Sequence, residues 1–519
     1  MRALPGRWLL PLVATFAFAC SGEVARAPSP APSSAVVVPD PVGPSVAPEA
    51  PQERQWVAPR RALRGAWISS VYNGTWPSRT GLGEAAAVAE LTALLDGLVA
   101  SGANAVFLQV RPESDALYRS PLEPWSRFLT GTQGKDPGYD PLARAIELAH
   151  ARGLELHAWL NPFRGMTSAS VQTADNHPTR VLAEHTRTWG SQLWMDPGAP
   201  AVQSHVLAVI EDLLRRYDVD GLHFDDYFYP YPIASKSFPD DDTFAAYQSA
   251  GGALARDDFR RANVDDFVRR VSELSARVRP DVRFGVSPFG IWRPGYPRGI
   301  VGLDAYAELY CDAPKWIDRG WVDYLAPQLY WPTTRPAQDF AALLDFWAAH
   351  AKGGRTIVVG HDLGKLGQAE FPPSEIDKQL ALVEAAQAKG VAGSIFFTAR
   401  PLAQDDQAIR TSVVGPRWSL PAVTPTVAAA SAEPRPEPPV VEWVREPGQE
   451  KPTARISVPP GTRLRSVLVY AQGDGGLALS RVVPAEQLPL GLRISGRAAI
   501  GVLDRASRAS DVRVLRSPP

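Results

Sequence analysis

The feature that most narrows what this chain can fold into is a repeated alternation between Arg64 and Ser412, where continuous apolar runs are separated by helix-like stretches. Eight runs are present: Gly65–Tyr72, Ala103–Arg111, Leu154–Asn161, Gly221–Tyr227, Arg283–Phe289, Val322–Tyr330, Thr356–His361 and Gly393–Arg400. A run that is apolar at successive positions, not at every second one, is a strand covered on both faces. Strands of that kind alternating with helices form a parallel sheet. The intervening segments carry helix signals. Asp140 before Pro141 reads as an N-cap with proline at the first helical position, and Leu142, Ile146 and Ala149 then share one face. Ser374 is expected to open a later helix, with Ile376, Leu380 and Val383 inward and Gly390 closing it. Eight strand–helix units over residues 60–412 predict an α/β (β/α)8 TIM barrel. A doubly wound open sheet is the competing arrangement, but no Gly-x-Gly-x-x-Gly turn follows the first strand.

The ends of the chain have a different character. Arg2 and Arg7 precede the apolar residues 8–18, and Ala17-Phe18-Ala19 leads directly into Cys20. Residues 1–20 thus read as a secretory signal, and the cysteine at its end resembles the lipobox of bacterial lipoproteins, in which that residue is lipidated. The plain alternative is a signal peptide cut near Ala19. Residues 21–59 are rich in Pro, Ala, Ser and Val, a composition that predicts an extended tether spanning on the order of 100 Å. Residues 413–439 have the same flavour and read as a second linker. Residues 440–519 hold short β-type runs with Gly-rich turns, as in a small all-β sandwich. The only other cysteine, Cys311, is expected to be a buried small apolar side chain on a helix. A disulfide framework and a cysteine zinc site are thereby excluded, and the net charge of -1 argues against nucleic acid as a partner.

In such barrels chemistry gathers where the strands run out into their following loops. Those ends carry Trp67 and Tyr72; Gln109, Arg111, Glu113 and Asp115; Asn161 and Arg164; His223, Asp225, Asp226, Tyr227 and Tyr229; Trp292; Gln328, Tyr330 and Trp331; and His361 and Asp362. Aromatic faces among amide, carboxylate and guanidinium groups suit sugar binding, because pyranose rings stack on aromatics through their C–H faces while the polar groups bind hydroxyls. Trp67, Tyr72, Arg111, Asp115, Asn161, His223, Tyr227, Tyr229, Trp292, Gln328, Tyr330, Trp331 and His361 are the expected sugar-binding residues. Asp225 and Asp226 form the sharpest motif: neighbours on a strand point to opposite faces, so one should face the mouth and the other the surrounding structure. The alternative is that both are structural, binding backbone amides or an arginine such as Arg111. Glycoside hydrolysis ordinarily needs a second carboxyl group, for which Glu113 is the first candidate, with Asp115 and Asp362 behind it. An N-acetyl sugar supplying its own nucleophile is the alternative. A metal-dependent reading is weaker, since His157 and His361 lie on separate strands and no His-x-His follows the first; no metal or cofactor is expected.

A specific set of motifs recurs in order along residues 60–412. They include Arg64-Gly65-Ala66-Trp67, Gln109-Val110-Arg111-Pro112, Leu122-Glu123-Pro124-Trp125 and Gly138-Tyr139-Asp140-Pro141-Leu142. Further on come His157-Ala158-Trp159-Leu160-Asn161-Pro162, Asp220-Gly221-Leu222-His223-Phe224-Asp225-Asp226-Tyr227, Ser287-Pro288-Phe289-Gly290-Ile291-Trp292 and Trp321–Trp331. This series resembles the glycosyl-hydrolase-like 10 family. The resemblance implies a glycosidase of the bacterial cell envelope, attached to the membrane through its lipid and acting on peptidoglycan-type, peptide-free glycan or a related amino-sugar polysaccharide. It also implies a fibronectin-III-like module at the C-terminus and an association with the cell-division machinery. A lytic transglycosylase, or a barrel that binds wall glycan without turnover, are the other readings. The fourth strand also resembles the chitinase pattern Asp-Gly-x-Asp-x-Asp-x-Glu, but His223 replaces an aspartate and Tyr227 stands where the glutamate would be.

Overall fold

The computed structural model describes residues 56–445, 452–459, 463–473, 476–494 and 496–516. The signal segment with Cys20 and nearly all of the 21–59 tether lie outside the described residues. Eight parallel strands close into a barrel: β1 (Leu63–Ile68), β2 (Ala105–Arg111), β3 (Glu155–Leu160), β4 (Gly221–Phe224), β5 (Arg283–Val286), β6 (Tyr324–Leu325), β7 (Thr356–Asp362) and β8 (Val391–Phe397). β1 pairs with both β2 and β8, which closes the ring. Each strand lies within or across one of the apolar runs, shortened where the chain turns into a loop. β6 keeps two residues because Pro327 has no N–H for the ladder, and single bridges at Gln328 then tie it to Phe289 and Gly360.

Helices such as Glu84–Ala100, Pro141–His150, Pro200–Arg216 and Arg256–Val278 wrap the barrel. Asp140 caps its helix by accepting from the Ala143 N–H at 3.0 Å. The later helix begins at Pro373, not Ser374, since Pro373 presets the helical φ at its first turn. It ends at Ala385, and Gly390, at φ 89°, closes a separate short turn. Cys311 is buried as expected, but in a loop between two short helices. Between β3 and β4 the chain adds a small antiparallel sheet (Arg164–Met166, Gln192–Met195, Thr186–Trp189) that the apolar runs did not announce.

The barrel interior is unusually polar for this fold, where branched aliphatic layers are the rule. Trp67, His223, Tyr324, His157 and Glu155 are joined in sequence by hydrogen bonds of 2.9, 2.9, 3.2 and 3.0 Å. Phe107 packs beside both histidines, with ring centroids 4.5 and 5.0 Å away. This column ends at the first residue of β3, on the floor of the barrel.

Two antiparallel sheets follow the barrel. One contains Val440–Val444, Thr453–Ser457 and Leu490–Leu492; the other contains Gly476–Pro484, Leu464–Gly473, Arg497–Asp504 and Arg513–Arg516. The three-on-four arrangement is that of a fibronectin-III-like module. Arginines from this module meet the carboxylates at the barrel floor: Arg465 lies 3.4 Å from Glu155 and 3.1 Å from Asp220, and Arg505 lies 3.4 Å from Asp220. Arg283 of β5 completes the cluster with a paired contact to Glu155. Residues 413–439, expected as a free linker, are packed into this junction with Val414, Trp418, Val423 and Val427 buried. Val414 and Trp418 dock on the barrel, Val423 and Val427 pack against the C-terminal module, and Arg64 and Arg61 bind the carbonyls of Trp418, Leu420 and Thr424. A proline-rich composition conceals this, because proline limits the backbone without preventing its neighbours from packing.

Candidate active site

The inward alternation of β4 carries His223 and then Asp225 up the barrel axis, while Asp226 turns outward. Asp225 is half-buried at the mouth. Its carboxylate accepts from Asn161 Nδ2 at 3.2 Å and Gln328 Nε2 at 3.4 Å, so groups following β3 and β6 converge on it. The Tyr227 hydroxyl accepts from Asn161 (2.9 Å) and Arg164 (2.6 Å), and its own proton is directed to Asp225. Asn161 is itself held by Gln109 at 2.7 Å and Arg164 at 3.0 Å. Asp225 is therefore oriented by a closed set of donors, none of which is a cation bound directly to it.

Asp226 is only 4 % exposed and accepts a hydrogen bond from the Tyr231 hydroxyl. Burial, followed by the neighbouring charge of Asp225, pushes its carboxyl well above the usual range, and the Asp226 N–H donates to the Asp225 carboxylate at 3.1 Å. Two adjacent carboxyl groups sharing one proton is a device for keeping an acid protonated near neutral pH. Beside this pair a cavity of about 320 Å³ opens between Tyr227 and Tyr231 and the indoles of Trp189 and Trp194 from the small antiparallel sheet.

Several expected site residues have other work. Glu113 is fully buried, bound by Arg127 at 2.8 and 3.2 Å and by the Thr167 N–H at 2.7 Å, so it is no second carboxylate for the mouth. Arg111 grips Glu123 and the Asn161 and Pro162 carbonyls, and binds no substrate position. Asp115 is buried behind the mouth, where burial and then the charge of Glu113 raise it to about 7. Tyr229 is enclosed by Phe238 and Tyr310. His361 faces away from the axis and binds Gln379 and Ser394. Trp67 and His223 belong to the axial column beneath the mouth, not to its surface.

The mouth keeps Tyr72, Asn161, Asp225, Tyr227, Trp292, Gln328, Tyr330 and Trp331. Tyr330 lies within the electrostatic reach of both Asp362 and Asp225, with its ring stacked on Phe397. Trp331 packs edge-on against Phe289, and the Trp292 indole donates to Asp312 at 3.2 Å. Gln109 and Arg164 stand among the strand-end residues but not among the expected sugar binders, and Tyr231 is not singled out from sequence. Gln109 lies in β2, while Arg164 follows Asn161 by three positions and Tyr231 follows Asp226 by five, a spacing that places these two beyond β3 and β4.

With this geometry in hand, comparison with known proteins is specific. The profile of the glycosyl hydrolase-like 10 family matches residues 62–378. Glycosyl hydrolase YngK of Bacillus subtilis (strain 168) is 38% identical over 377 residues, covering 70% of this chain and 73% of that protein. Glycosyl hydrolase DigH of Escherichia coli (strain K12) is 35% identical over 392 residues, covering 69% of this chain and 87% of that protein. Among solved structures, the glycoside hydrolase domain of PgaB (BpsB) from Bordetella bronchiseptica aligns with a TM-score of 0.47 at 13% identity, over 68% of this chain and 99% of that one.

Proposed function

The chain belongs to the glycosyl hydrolase-like 10 family and is a glycoside hydrolase, and from that premise we propose that it cleaves peptide-free, peptidoglycan-type glycan between amino sugars. The observation that carries this reading is the Asp225–Asp226 pair, in which a mouth-facing carboxylate held by Asn161 and Gln328 stands directly beside a buried one bound by Tyr231. In the first step Asp226 passes its proton to Asp225, which delivers it to the glycosidic oxygen as the C1–O bond breaks. With Glu113 held by Arg127 and Thr167, the nucleophile at C1 is the substrate's own N-acetyl carbonyl oxygen. Water then adds at C1 as the C1 bond to the N-acetyl oxygen breaks, and its proton returns through Asp225 to Asp226. Asn161, Gln328 and Tyr227 keep the Asp225 carboxylate in place throughout. A lytic transglycosylase differs only in that the sugar's 6-hydroxyl replaces water, and the product mass separates the two.

The test is incubation of the protein with wall sacculi that carry or lack stem peptides. Soluble fragments from the peptide-free material, abolished by Asp225→Asn, are the expected result. Tight binding without fragments, unchanged by that substitution, would establish a wall-binding barrel instead. Lipidation at Cys20, which places the enzyme in the envelope on a membrane anchor, belongs to the same proposal; incorporation of labelled fatty acid should vanish in Cys20→Ser.

A further inference from the structure

We propose that the mouth holds a single glycan strand lengthwise, with sugar rings stacked on Tyr72 at one rim and on Tyr296 at the opposite rim, so that the enzyme cuts within chains and not from their ends. This rests on the reading of the mouth as a glycan-cleaving site.

Tyr72 is 67% exposed, yet its backbone sits at φ 56° and ψ 18°, and Asn73 follows at φ 53°. Two successive non-glycine residues in the left-handed region are costly, and an exposed ring returns little burial for that cost. The loop is held in this shape from several directions. Asn73 Nδ2 donates to the carbonyls of Pro77 and Phe128, both at 2.9 Å. The Ser70 and Val71 N–H groups both donate to Gln109 Oε1. Gln109 donates in turn to Asn161, and Asn161 to Asp225, so the strained loop is connected to the mouth-facing carboxylate through two side chains. Phe128 backs the Tyr72 ring edge-on at 6.0 Å and leaves its other surface open. Stability does not account for this arrangement; the ring it displays does.

In the closed order of the barrel, β1 and β5 are separated by three strands in either direction and so stand across the mouth from each other. The loop after β5 carries Trp292 and Tyr296 with ring centroids 5.7 Å apart, and Tyr296 is 55% exposed. Both rims thus present an open aromatic face, the surface on which the C–H face of a pyranose stacks. A site that trims chain ends needs a wall on one side; here each side offers a platform. Tyr231, 43% exposed and bonded to Asp226, lies on the loop after β4, beside the scissile position.

The experiment uses the full chain and peptide-free glycan strands labelled at one end. Mid-length fragments should appear first, with the label in long pieces. Tyr72→Ala and Tyr296→Ala should each raise KM for long strands by about tenfold, with a penalty that shrinks as the substrate is shortened. Tyr72→Phe, which keeps the ring, should restore the parent KM. Tyr72→Asn, which suits the left-handed backbone, should lose long-strand affinity with an unchanged or higher Tm. Early release of labelled mono- or disaccharide, or variants indifferent to chain length, would overturn the proposal while sparing the reading of the mouth. No cleavage of any glycan by the unaltered protein would overturn both.

Discussion

The mouth and the floor of this barrel each bury a pair of carboxyl groups, and they treat them oppositely. At the floor, burial pushes Glu155 up, but Arg283 and Arg465 outweigh it and hold the group well below the usual range. Asp220 is likewise lowered against burial by Arg465, Arg505 and His150. At the mouth, Asp226 is equally buried but faces Asp225 and a tyrosine, so it keeps its proton. Asp226 matches Glu155 and Asp220 in burial, and the counter-ions differ. Saturated with guanidinium, a carboxylate becomes a structural joint. Left beside a second carboxylate, it becomes a reservoir for a proton.

The largest expected effect comes from exchanging the chemistry of one mouth group. Asp225→Asn should lower glycan cleavage by about 10²–10⁴ with Tm nearly unchanged, read by product release and a thermal melt. A comparable loss of stability with retained turnover would move Asp225 to the structural class. Arg283→Met at the floor should do the reverse, costing about 1.5–3 kcal/mol in denaturant unfolding because buried Glu155 loses its paired contact and keeps Arg465 as its one guanidinium partner, while kcat of the folded fraction persists. Glu113→Gln probes the boundary between the two: about 1–3 kcal/mol of stability should go with the Arg127 pair, and kcat should stay. If its activity collapses as that of Asp225→Asn should, Glu113 takes part in the chemistry. Asp226→Asn should have the smallest effect on stability, a change of less than about 1 kcal/mol, while kcat falls and the pH–rate profile is displaced because the proton passed to Asp225 is gone.

Acidity sharpens the contrast further. Glu155 and Asp220 have depressed folded-state values, so their contribution is present above the unfolded pKa of about 4 and is lost as pH falls. Asp226 and Asp115 are raised, the latter to about 7, so their contribution is greatest at low pH and declines as pH rises through that window. A plot of Tm against pH should therefore have an acid limb that flattens in Arg283→Met and a decline between about pH 4 and 7 that flattens in Asp115→Asn.

The barrel was legible because parallel strands are covered on both faces and write themselves as unbroken apolar runs. Alternation along β4 likewise separates Asp225 from Asp226 without any tertiary information. What could not be read is which polar strand-end residues are already occupied. Glu113 is held by Thr167, and Arg111 by Glu123 and the Asn161 carbonyl, partners brought together only by loop conformation. The packing of residues 413–439 was hidden for the same reason, since a docked proline-rich segment has the composition of a free one. Tyr72 was visible as an aromatic at a strand end, but not the strained backbone that displays it.

The axial column has a consequence of its own. An indole can only donate and a carboxylate can only accept, so Trp67 and Glu155 fix both ends of the line. Burial keeps His223 and His157 neutral. His223 must then carry its proton on Nδ1 and His157 on Nε2, with the Tyr324 hydroxyl accepting from the first and donating to the second. Two histidines of one barrel are locked in opposite tautomers, and nitrogen chemical shifts would read them directly. All four bond dipoles point the same way, with their positive ends toward Glu155, so the core of the barrel serves as the solvent of the anion at its floor.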